Sequence, residues 1–128
     1  MKNYRIEFPD FDSSKAAKRY LVEWTPWDAV KAAAVKRGMP GDGEVGDYVC
    51  MDDFTVDRIF PTFAKALQFA RSIIAKDTWN CPRIRRQVLV PNDHDDLGNR
   101  VKAMPSYETD ANWEVLIDQP DPIEASQA

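Results

Sequence analysis

The densest cluster of chemically capable side chains is PRIRRQ at 82–87, where Arg83, Arg85 and Arg86 follow closely on Trp79. A guanidinium is a planar fork of donors that fits a carboxylate or a phosphate, and alternate residues of a strand share a face. Arg83 and Arg85 are therefore expected to present a paired cationic surface. An aromatic ring beside such a row suits either a protein interface or the stacking of single-stranded nucleic acid. The competing reading is a strand whose arginines are solvated or paired internally, with the acidic end of the chain as the neutralising partner. Residues 1–90 carry 15 Lys or Arg against 12 Asp or Glu, whereas residues 91–128 carry 2 against 9. Glu108, Asp110, Glu114 and Asp118 form a candidate acidic surface, and Asp121 and Glu124 extend it.

Other motifs are weaker. GDGEVG at 41–46 has the glycine spacing of a dinucleotide fingerprint. That fingerprint needs a strand before it and a helix after it; here a helix precedes, a strand is expected to follow, and Asp42, Glu44 and Asp47 would repel phosphate. NDHDDLG at 92–98 gathers His94 with three aspartates. Counted as a calcium loop from Asn92, its sixth position is Leu97 instead of Gly and its twelfth is Ala103 instead of Glu, so a solvated turn is expected and no metal. His94 is the only imidazole, and no elbow motif frames a serine, which leaves nucleophilic catalysis without a base. Asp52, Asp53 and Asp57 could pair as acid and base, but adjacent strand residues point to opposite faces. Cys50 and Cys81 lack CxxC spacing and are expected to be reduced, packed thiols. No cofactor is expected.

The elements that position these groups repeat one pattern, a strand running into a helix. RYLVEW precedes TPWDAVKAAAVKRG, and TVDRIF precedes PTFAKALQFARSIIAKD. In the first unit Thr25 is expected to cap the helix, Pro26 to occupy its first position, and Gly38 to end it, giving a helix over about 26–37 with Trp27, Val30 and Ala34 on its buried stripe. In the second, Phe63, Ala66, Leu67, Ala70, Ile73 and Ile74 keep the helical period, with Lys65, Gln68, Arg71 and Ser72 opposite. Alternation predicts strands at Tyr4–Phe8, Tyr20–Trp24, and about 47–51, 54–60, 83–90 and 112–117. Pro91, Gly98 and Pro105 predict a long loop over about 91–106.

One-sided alternation favours an α+β sandwich, a mainly antiparallel sheet of about five or six strands with two helices packed on one face. Its globular domain is expected to span 1–118, with 119–128 a frayed acidic tail. A hydrophobic content of 44% excludes wholesale disorder. No run reaches the ~18 apolar residues of a membrane span and no apolar segment precedes the first carboxylates, so a soluble cytoplasmic protein is expected. This profile is shared by small inhibitor and accessory proteins of phage and mobile elements, an association of type only. The leading functional expectation is a non-enzymatic binding module that contacts another protein, its site at Arg83, Arg85, Arg86 and Trp79. A nucleic-acid binder using the arginine strand is second, disfavoured by a pI near 5.0, and an enzyme with an unrecognised site is third. If 92–98 is a turn and both cysteines are thiols, neither chelator nor reductant should change the Tm; a drop with chelator would place a structural cation there.

Overall fold

The computed structural model describes residues 16–94 and 100–124; the strand expected at Tyr4–Phe8 lies outside them. RYLVEW becomes β1 (Lys18–Trp24), with Tyr20 and Val22 buried and Leu21 and Glu23 half-buried on the other face. Next come α1 (Trp27–Lys36), β2 (Val56–Phe60), α2 (Phe63–Lys76), β3 (Arg83–His94) and β4 (Arg100–Glu114). The strands form one antiparallel sheet in the order β2-β1-β3-β4. The class is α+β as expected, with four strands among the described residues against the five or six expected of the whole chain.

Where strands were misplaced, the reasons are local. At 47–51 the chain forms 3-10 turns, Val45–Asp47 and Met51–Phe54, because Val49 buries itself against Val30 and Ala34 of α1 and not within a sheet. The expected loop at 91–106 is largely a β-ribbon, in which β3 and β4 stay paired out to His94 opposite Arg100, with Pro91 opposite Pro105. The described pairing of β3 with β1 ends at Val88, with the Leu89 N–H still donating to the Ala17 carbonyl at 2.9 Å, so Pro91 lies beyond the last described bond on that side. At the other end β4 stops at Glu114, and Leu116 and Ile117 are exposed instead of completing a strand to 117.

The helices do not share one face of the sheet. α2 alone lies on it, packing Ala66, Ala70 and Ile74 against Val22, Ile84 and Trp113, with Phe63 edge-on to Tyr20 and tilted against Trp113. Thr62 caps it by accepting from the Lys65 N–H. α1 builds a second small core from Val30, Ala34 and Val49, closed by Trp27, Tyr48 and Phe54. Its expected cap fails, since the Thr25 hydroxyl faces that of Thr55 at 3.2 Å and Pro26 takes the N-cap position. The chain leaves α1 through Gly38, at φ 102°, the left-handed conformation that favours glycine.

The capping role falls to Asn80. Its Oδ1 accepts from the Trp27 N–H at 2.8 Å, while its Nδ2 donates to the Ile73 carbonyl at 3.0 Å. Those groups are an unsatisfied donor at the start of α1 and an unsatisfied acceptor in the last turn of α2. The Thr25 N–H adds a 3.1 Å bond to the Asn80 carbonyl, which ties the end of β1 to the same residue. Asn80→Ala is expected to cost about 2–4 kcal/mol, since two buried backbone groups lose their partners together. Denaturant unfolding measures it. Ile73→Ala should cost roughly 2–5 kcal/mol, and Gln68→Ala on the exposed face under about 0.5 kcal/mol; equal losses would mean the helical face is wrongly assigned.

Candidate functional site

Alternation along β3 divides the arginines. Ile84, Arg86, Val88 and Val90 face α2, whereas Arg83, Arg85, Gln87 and Leu89 face the side that no described helix covers. On that open side the register sets Arg83 between Glu23 of β1 and Glu114 of β4, and Arg85 between Leu21 and Asn112. Arg83 stands 4.0 Å from Glu114, with both side chains well exposed, and Arg85 pairs with Glu23 at 3.2 Å. Arg85 Nε is buried without an acceptor. Arg19 of β1 extends the cationic row, donating from Nε to Gln87 at 2.8 Å and lying 3.7 Å from the Tyr107 ring centroid. Ile59 on β2, 50% exposed, and half-buried Leu21 supply apolar area beside it.

Arg86 serves a different purpose. At 14% side-chain exposure it holds Asp110 at 2.8 Å and Glu124 at 3.5 Å, with the Trp113 ring 5.8 Å away. Asp110 is the extra residue of a β-bulge, since Arg86 pairs with Ala111 and Gln87 with Thr109; the bulge lets its carboxylate reach the core-side guanidinium. The hydrogen bond to Asp110 is the main cause holding the Arg86 pKa above its ordinary value. Glu124 also accepts from the Tyr20 hydroxyl. Burial first, and that hydrogen bond second, push the Tyr20 pKa up to about 12.

These contacts belong to a strap formed by the chain after β4. Arg71 of α2 pairs with Asp121 at 2.6 Å and donates to the carbonyls of Leu116 and Gln119 at 2.7 and 3.3 Å, while Trp113 Nε1 donates to the Ile123 carbonyl at 3.3 Å. Residues 119–124, read from sequence as the start of a fraying tail, make these bonds because Arg71 and Arg86 each meet a carboxylate there. Residues 125–128 lie outside the described residues.

The remaining candidates disperse. Trp79, 63% exposed, stacks on Trp27 at 5.2 Å and 20° and not on an arginine. Glu108 sits across from Val88, and Asp118 is exposed in the turn after β4. Two of these four acids, Asp110 and Glu114, answer arginines on the neighbouring strand. Cys50 and Cys81 are free and exposed, not packed as expected. Cys81 has φ 45° and lines a recess of about 200 Å³ with Glu23, Asp52 and Arg83. Of the cluster at 92–98, residues 95–98 lie outside the described residues; among the described residues no group of three His, Cys, Asp or Glu could hold a metal ion. Nor is any described helix long and apolar enough to cross a membrane. Sequence reading missed Arg19, Tyr107 and Ile59 on the open face. The alternation of β1 carried a signal for Arg19, but the other two depend on pairing partners distant in sequence.

Comparison with family models, with curated proteins and with solved structures finds no match.

Arg86→Ala should destabilise by about 1–3 kcal/mol, because it leaves Asp110 and Glu124 without their cation, whereas Arg83→Ala should cost under about 0.5 kcal/mol. Urea unfolding of the two variants separates these roles. Alkaline pH supplies a second test. A raised Tyr20 pKa contributes stability that is complete below the ordinary value of 10.0 and is lost as pH climbs toward about 12. Stability measured across that window should therefore fall more steeply for the parent than for Tyr20→Phe, and parallel curves would remove Tyr20 from the account.

Proposed function

We propose that this chain is a non-enzymatic binding module, of inhibitor or accessory type, that contacts another protein through the open face of its sheet. The observation that carries the reading is the division of β3: one face is sealed by α2, and the other presents Arg83, Arg85 and Arg19 interleaved with Leu21, Ile59 and Tyr107. An apolar ground with forked cations on it is the composition of an interface core and its rim, and arginine and tyrosine are favoured there. Glu23 and Glu114 stand among the arginines, which suits a partner of mixed charge better than a polyphosphate chain. The perturbed groups also fit a structural role. Tyr20 and Arg86 are held more firmly in their ordinary protonation states, the reverse of a catalytic group poised near neutral pH. Of the residues singled out by sequence, this reading keeps Arg83 and Arg85 as contacts, leaves Trp79 to its stack on Trp27, and gives Arg86 to the fold.

The test is affinity capture from the source cells with the parent and with the double variant Arg83→Glu, Arg85→Glu, followed by measurement with the purified partner. The double variant should keep its fold and bind at least about 2 kcal/mol more weakly. Equal retention by both proteins would sink the assignment of the face. Titration with unrelated oligonucleotides decides the rival reading, because nucleic-acid binding would be measurable at low salt and fall linearly in log–log form as salt rises.

A further inference from the structure

A second surface lies on the other side of the sheet, where edge strand β2 passes α2. Val56, Arg58 and Phe60 of β2 share the face that turns toward α2, since Val22 and Tyr20 across from Arg58 and Phe60 are core residues. Phe69 projects from the helix to meet Phe60 at 5.1 Å, and Lys65, Gln68 and Ser72 stand above it on one helical face. Between strand and helix runs an open groove of about 440 Å³. Its floor is the two phenylalanine rings. The Arg58 guanidinium lies over both, 5.5 Å from the Phe60 centroid and 5.2 Å from that of Phe69, and Lys65 stands at the rim.

Two features specify an occupant. Among the described residues β2 is paired on one side only, with β1, so alternate N–H and C=O groups of Val56–Phe60 point away from the described sheet. A groove between a helix and an open strand edge is where extended peptides add to a sheet, with main-chain bonds giving affinity and alternate side chains entering the groove. Charge is the second. The chain carries a net −4, yet among the described residues neither Arg58 nor Lys65 has an ion-pair partner. Asp57, the nearest carboxylate in sequence, sits on the opposite face of β2. A second copy fits poorly. Two-fold antiparallel pairing of the full β2 strand with itself sets Arg58 against Arg58, and a slip that centres it on the preceding residue sets Asp57 against Asp57.

We propose that the groove between β2 and α2 binds an extended acidic peptide, which adds to β2 as a further strand and places its carboxylates on Arg58 and Lys65 and an apolar side chain on Phe60 and Phe69. This site is independent of the open sheet face. The probe is a fluorescein-labelled peptide of about nine residues in which Glu alternates with Val and a central Phe. Anisotropy with the full chain should show saturable binding, absent for the counterpart with Lys in place of Glu and for a version N-methylated at alternate amides. Lys65→Glu alone, at an exposed helix position, should weaken it severalfold, and Arg58→Glu with Lys65→Glu about tenfold or more, with an unchanged circular dichroism spectrum. Arg83→Glu with Arg85→Glu should leave it unchanged, so this outcome does not depend on the sheet-face reading. The proposal is overturned if the acidic peptide does not bind, if it binds the charge-reversed variants equally, or if the N-methylated peptide binds as well. It is overturned equally if sedimentation shows a dimer that Arg58→Glu dissociates, which would make a second copy the occupant.

Discussion

One side-chain amide joins the parts of this protein. Asn80 is the buried polar residue among those described, and it bonds to the start of α1 and the last turn of α2 at once while its carbonyl holds the end of β1. An amide can do this because it carries a donor and an acceptor on one planar group; aspartate would lack the donor, and leucine both. The two hydrophobic cores share no buried residue. With few apolar contacts to lock α1 onto the sheet, the orientation of the smaller core relative to the larger one rests on this polar junction and on the stacked pair Trp27 and Trp79 beside it.

The sheet then distributes its chemistry by parity. On β3, even-numbered residues enter the core and odd-numbered ones face outward, so neighbouring arginines have unlike fates. Arg86 is nearly desolvated and is balanced by two carboxylates, one brought by a bulge and one by the strap. Such a group is costly to leave alone and is therefore a firm structural commitment. Arg83 keeps much of its hydration and stands 4.0 Å from Glu114, so a partner's carboxylate can compete for it at small cost, whereas Arg85 is held more closely by Glu23 and offers a buried Nε that still has no acceptor.

Much of this was legible in the sequence, for reasons that differ by element. The apolar stripe of α2 keeps one period for three turns, and no competing signal interrupts it. β1 and the first half of β3 alternate cleanly because one face of the sheet is buried and the other is not. The same alternation already placed Arg86 with Ile84 and Val88, although the run of arginines reads as one patch. What escaped detection depends on the third dimension. Proline and glycine over 91–106 speak for a loop, and the ribbon found there depends on a pairing of β3 with β4 that the local pattern does not carry. Val49 reads as part of a strand until α1 is present to bury it. The role of Asn80 has no local signature, because both of its partners are set by chain segments that meet only after folding.

The bond between Tyr20 and Glu124 closes a loop of 104 residues, nearly the whole described chain. In an unfolded chain the entropy of bringing such distant points together outweighs a single hydrogen bond and its neighbouring ion pair. The strap can therefore seat only after β1, β3 and β4 are in register and have already brought the two ends close. It contributes little to finding the fold. Its docking is instead a sign that assembly is complete, a clasp fastened last over a sheet whose topology has been decided elsewhere.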